Sequence, residues 1–182
     1  MKKLILTLAL ATFVGMAIAQ TPKDARQDAR QARMEQAIDN MQAALATQNF
    51  MFIPSQMSLL SQGSILLNSL SFAPFIDVTP DFLAVNMPYS LQLFPPNTRI
   101  FDLYMPNVPY TYSVKKGTGN TFYVLIGLKN VSNQNTGFMP LQTQGMNMSI
   151  HMIINATSGY TTVTITPDFA APITYSGSVS TN

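Results

Sequence analysis

The chain has 182 residues, with ten Lys and Arg against eight Asp and Glu, one His, twelve Met and no Cys. So few charged residues and a formal charge of only +2 give no footprint for nucleic acid, which asks for Lys and Arg clustered on one face. Without cysteine there is neither a disulfide framework nor thiolate chemistry, so a packed core has to supply the stability.

Residues 1–19 read as a secretory signal peptide. Lys2 and Lys3 form the basic start, LILTLALATFVGMAIA the apolar run, and Ala17-Ile18-Ala19 a small-x-small cleavage site ahead of Gln20. The run is shorter than the roughly 20 apolar residues a bilayer crossing needs, so the expectation is export without a transmembrane segment. The product is expected to be soluble and periplasmic or cell-surface associated. Lys2 and Lys3 account for the whole charge excess, and the remaining chain is neutral.

Residues 20–48 are expected to form a helix. From Lys23 to Thr47 the composition is Ala, Gln, Arg, Asp and Met without Gly or Pro, and Pro22 suits the first turn. Met34, Ile38, Met41 and Leu45 recur at three- and four-residue steps and should pack on something. The preceding DARQDARQAR separates Arg26, Arg30 and Arg33 onto one stripe. An anionic docking surface would use such a stripe, but exposed charge patterns are more often a solvated helix end.

Residues 49–182 have β texture and are expected to form an antiparallel domain packed with the helix. TFYVLIGLK puts Phe122, Val124, Ile126 and Leu128 on one face and Tyr123, Leu125, Gly127 and Lys129 on the other. MNMSIHMII puts Met146, Met148, Ile150, Met152 and Ile154 inward, with Asn147, Ser149, His151, Ile153 and Asn155 outward. KKGTGN and NATSG supply hairpin turns at the near ends of these segments. Upstream, NFMFIPSQMSLL, GSILLNSL, FAPFIDV, DFLAVNMPYSLQLF and TRIFDLYM read as short strands broken by Pro54, Pro74, Pro88, Pro95 and Pro96, prolines that belong at edges, bulges or loops. FPPNTRIFDLYMPNVPY reads as a proline-interrupted connection with exposed aromatics, and NVSNQNTGFMP as a long polar loop. The fold class is therefore mainly β with one N-terminal α-helix, an antiparallel meander forming a sandwich or partly open barrel.

Candidate chemistry is thin. His151 is alone on the polar side of its strand, and zinc or copper would want several His or Cys ligands, so no metal site is expected. A Ser–His–Asp arrangement can assemble from distant positions, yet no nucleophile elbow of the G-x-S-x-G type is present. Asp77, Asp81 and Asp168 stand in turn-like contexts where Asp caps backbone amides, which disfavours a glycosidase pair. No phosphate-cradling glycine motif occurs, and no cofactor is expected. Met146, Met148 and Met152 fit a core better than a copper site, although the same inward face would line an apolar pocket if a cavity opened there.

The leader ending before Gln20, the helix KDARQDARQARMEQAIDNM, the strand GNTFYVLIGLK and the closing YTTVTITPDF and ITYSG together resemble the Bacteroidota family of small secreted proteins called domain of unknown function four-two-five-one. The resemblance implies a periplasmic or surface-associated bacterial protein and brings no activity and no functional residues. Residues 50–110 are more apolar and proline-rich than that family's usual texture. The expected function is an exported, non-enzymatic binding or envelope-associated β domain whose partner is an apolar small ligand, an envelope component or a protein. Tyr104, Tyr110 and Tyr112 are its expected exposed contacts. The alternative is a hydrolase using Asp or Ser with His151.

Overall fold

A computed structural model describes residues 22–59, 63–68, 70, 72–94, 97–132, 145–168 and 170–181. The expected signal peptide and most of the NVSNQNTGFMP loop lie outside these residues. Two compact units are distinguished, residues 1–37 and 38–182.

Helix α1, Pro22–Ala46, begins in the first unit and ends in the second. In the first unit its side chains from Ala25 to Gln36 are exposed, Arg26, Arg30, Arg33 and Met34 included, and Gln31 donates to Glu35 one turn on at 2.8 Å. In the second unit Met41, Ala44 and Leu45 are buried in the core, as the spacing requires of an amphipathic stripe. The helix closes on a Schellman motif. Gln48 takes φ +54°, the Asn49 amide bonds the Ala44 carbonyl at 2.9 Å, and the Gln48 amide reaches the Leu45 carbonyl.

Ten strands follow in one antiparallel sheet: β1 (Phe50–Leu59), β2 (Gly63–Leu66), β3 (Phe75–Val78), β4 (Leu83–Phe94), β5 (Asn97–Val108), β6 (Thr111–Lys116), β7 (Thr121–Val131), β8 (Met146–Asn155), β9 (Tyr160–Pro167) and β10 (Ile173–Thr181). The order is β5-β4-β3-β1-β10-β9-β8-β7-β6, with β2 beside β1. Two meanders, β3 to β5 and β6 to β10, are thus joined through β1. The sheet is not closed into a barrel, and no second sheet makes a sandwich among the described residues. Every neighbouring pair is antiparallel, so the terminal strands β5 and β6 run the same way. Only Pro109 and Tyr110 separate them in sequence, so Val108 and Thr111 lie within about 11 Å of each other, yet β5 pairs only with β4 and β6 only with β7 among the described residues.

One face of the sheet carries the core. Ile126, Ile150, Ile165 and Ile173 lie side by side across β7, β8, β9 and β10, and the next rung runs Val124, Met152, Val163, Tyr175 and Met57 into β1. All nine are buried, and each such side chain is worth roughly 1.5–3 kcal/mol when removed from water. The alternation expected in β7 and β8 is present as drawn, and both expected hairpin turns are present, with Gly119 and Gly159 at positive φ.

The middle of the chain departs from expectation. FPPNTRIFDLYMPNVPY does not form an irregular connection, because most of it belongs to a long β4–β5 hairpin of two 12-residue strands. The prolines fit for positional reasons. Pro106 is on an edge strand, and Pro88 lies past Asn86, the last β4 residue that β3 pairs, so one side of β4 has no ladder there to interrupt. Pro54 sits at a register shift in β1, between the stretch that pairs β3 and the stretch that pairs β2. Where β3 has ended, two tyrosines cross the interior instead. Tyr175 donates to the Pro88 carbonyl at 2.6 Å, and Tyr89 donates to the Ala171 carbonyl at 2.8 Å.

Candidate functional site

His151 is exposed on the outer face of β8, opposite Leu125 of β7 and Thr164 of β9. No described side chain hydrogen-bonds it. Asp168 lies four residues beyond Thr164, which is about 13 Å along the strand, and Ser149 is two residues away at about 7 Å. Ser113 shares the rung but stands two strands away, so among the described residues no Asp or Ser is hydrogen-bonded to His151.

The acids are dispersed as well. Asp168 is held by Asn147, whose backbone amide and Nδ2 both donate to Oδ2, at 3.3 and 3.0 Å. Asp77 departs from the turn-cap expectation: it belongs to β3, one of its carboxylate oxygens is buried without a hydrogen bond among the described residues, and the turn after β3 is closed by Thr79, whose hydroxyl bonds both Phe82 backbone groups. Asp77 and Asp102 face β4 at Ala84 and Pro88, four residues and so about 13 Å apart along that strand. No group of three or more His, Cys, Asp or Glu able to hold a metal occurs among the described residues. Met146, Met148 and Met152 are buried in the core.

Tyr110 and Tyr112 are half-buried and not free contacts, because their hydroxyls are committed. Tyr112 donates to the Leu45 carbonyl, and Tyr110 lies against Gln48 and the Thr79 carbonyl. Burial pushes both phenols above their ordinary value near 10. Tyr104 is exposed, as expected.

What the outer face does bring together is apolar. Tyr123, Leu125 and Ile153 are 47, 42 and 49 % exposed, and the register makes them one block: Tyr123 opposes Ile153 and Leu125 opposes His151. Lys115 and Ser113 of β6 extend the same two rows on one side, and Thr162 and Thr164 of β9 on the other. A depression of about 580 Å³ spans this block from Ser113 to Ile153. A second, shallower one of about 560 Å³ lies at the polar end of β7 to β9, between Lys129, Asn147, Ser149 and Asp168. Period two alone assigns Tyr123, Leu125 and Ile153 to the outer face. That nothing in the described chain covers them is tertiary information, and sequence reasoning passed over them.

No protein-family model and no curated protein matches the chain. Among solved structures it is similar to a DUF4251 family protein from Bacteroides eggerthii DSM 20697, at 17 % identity over 80 % of this chain and 87 % of that one, with a TM-score of 0.52. The resemblance read from the helix and the C-terminal strands is thus met at the level of the fold. No helix among the described residues is long and apolar enough to cross a membrane.

Proposed function

We propose that this chain is an exported, non-enzymatic bacterial protein of the DUF4251 type that works by binding a protein partner in the periplasm or at the cell surface. The observation that carries the proposal is the uncovered block of Tyr123, Leu125 and Ile153 on a face whose neighbouring strands β9 and β10 present mostly Thr and Ser. Single exposed apolar residues are ordinary, whereas a contiguous group rimmed by polar side chains marks an interaction site. The tyrosine adds contact area at small entropic cost, since it has two side-chain torsions and a polar tip. Support for export comes from the sequence of residues 1–19.

The test places a photo-crosslinking amino acid at Tyr123 in the producing cells, with Ser178, on the outer face of β10, as the control position. A discrete adduct from position 123 and none from 178, with the crosslinked protein identified by mass, is the expected outcome. Equal labelling at both positions, or none at either, overturns the binding face. Recovery of the chain in the cytoplasmic fraction overturns export. Ester hydrolysis by the purified chain that His151→Ala abolishes would replace this proposal with the hydrolase alternative.

A further inference from the structure

We infer that the partner engages this face as an extended, acidic peptide segment that adds to the open edge of β6. The inference rests on the binding face proposed above and names what that face selects.

The first observation is the edge itself. β6 ends the strand order and pairs only with β7 among the described residues, and Thr111, Ser113, Val114, Lys115 and Lys116 are exposed. Half of its backbone N–H and C=O groups therefore look outward with no ladder to join, which is the template that strand addition uses. The depression beside it begins on this strand, at Ser113 and Lys115, and continues over Tyr123 and Leu125 to Ile153. An added strand would lie along β6 with alternate side chains leaning over that block.

The second observation is charge. No Asp or Glu occurs between Asp102 and Asp168, so β6, β7 and β8 carry no acid at all, while Lys115, Lys116 and Lys129 fall in that span. Lys116 sits 5.9 Å from the Phe122 ring centroid, and Lys115 stands opposite Tyr123. Two lysines on an open edge disfavour pairing with a second, equally cationic edge, which argues against another copy of this chain. The same lysines attract a strand that brings carboxylates, and the neighbouring apolar block rewards apolar residues between them. A lipid surface would use the charge and the apolar block but leave the backbone edge unused.

The probe is a fluorescein-labelled peptide of roughly eight residues alternating Glu with Val, blocked at both ends. Its companions are the same peptide with Lys for Glu, and the Glu peptide N-methylated at alternate backbone amides. Titrated with the purified chain and followed by anisotropy, the Glu peptide is expected to saturate, and the Lys and N-methylated peptides to bind at least about tenfold more weakly. K115E/K116E should weaken the Glu peptide by a similar factor, Ser178→Glu should not, and amides of β6 should gain hydrogen-exchange protection in the complex. Circular dichroism confirms that each variant is folded. Undiminished binding by the N-methylated peptide, indifference to K115E/K116E, or no binding by the Glu peptide overturns strand addition. If the Tyr123 crosslink persists in that case, the binding face stands and only its occupant is wrong; if it too is absent, both fail.

Discussion

The Tyr112 hydroxyl donates to the carbonyl oxygen of Leu45 at 2.8 Å, so the edge strand β6 supplies a partner for one of the last carbonyls of α1. Its ring packs against Phe50 and meets Tyr110 edge-on, with centroids 6.4 Å apart in both pairs. Tyr110 in turn places its hydroxyl 2.7 Å from Gln48 Oε1 and against the Thr79 carbonyl. It holds one proton and serves one acceptor at a time.

Tyr112→Phe keeps the ring contact and removes only the donor. The Leu45 carbonyl is then left poorly paired, and the expected loss is about 1–2 kcal/mol of unfolding free energy, read as a lower urea midpoint at unchanged slope. Tyr160→Phe, at an exposed position, should move the midpoint by less than about 0.5 kcal/mol. Equal effects at the two positions would show that Tyr112 does not hold the helix end.

Alkaline pH should unfold the protein through its tyrosines. Burial raises the phenols of Tyr89, Tyr112 and Tyr175 above the ordinary value of 10, and in Tyr175 the neighbouring Tyr89 adds to it. Between pH 10 and those raised values the unfolded chain has released protons that the folded chain still holds, so stability is complete below about pH 10 and falls as pH rises further. Each such tyrosine contributes a slope of about 1.4 kcal/mol per pH unit. Urea midpoints should be flat from pH 7 to about 9.5 and decline above it, and Tyr175→Phe should flatten part of the decline.

The later half of the sheet was legible because its signals are local. β7 from Thr121 to Lys129 and β8 from Met146 to Asn155 alternate residue by residue, and glycines occupy the positive-φ places in both turns. The β4–β5 hairpin was not legible, because Pro88 and Pro106 are tolerated only for reasons of position in the sheet, one past the end of β3 and the other on an edge. The committed hydroxyls of Tyr110 and Tyr112 were equally hidden, since their acceptors Gln48 and Leu45 lie more than sixty residues upstream in sequence. Of the candidate face, the side on which Tyr123, Leu125 and Ile153 stand could be read from period two, but not that they stay uncovered.

Gly177 is required by β1. A Cβ at this position would collide with the Ile53 carbonyl and with Pro54 Cα, both backbone atoms at the register shift between β1 and β10. Backbone cannot rotate away as a side chain can, so Gly177→Ala has to push the central strands apart. The expected cost is about 3 kcal/mol or more, seen as a large fall in Tm or as insoluble protein. Gly119→Ala meets open space and strains only a turn at φ +64°, so its cost should stay near about 1 kcal/mol.

Met152 and Ile153 are neighbours in sequence and opposites in the sheet. Met152 is 1 % exposed between Val124 and Val163, whereas Ile153 is half exposed opposite Tyr123. Met152→Ala removes buried methylenes and leaves a cavity among close-packed side chains, for an expected loss of about 2–5 kcal/mol. Ile153→Thr keeps a β-branched residue on the strand and exposes a hydroxyl to water, so stability should change by less than about 0.5 kcal/mol. The position-123 crosslink should nonetheless weaken in Ile153→Thr, because the apolar block loses one of its three members. Separate effects on stability and on crosslinking would show that the two faces of β8 divide core from contact surface. A large stability loss in Ile153→Thr would mean that the outer face is covered after all.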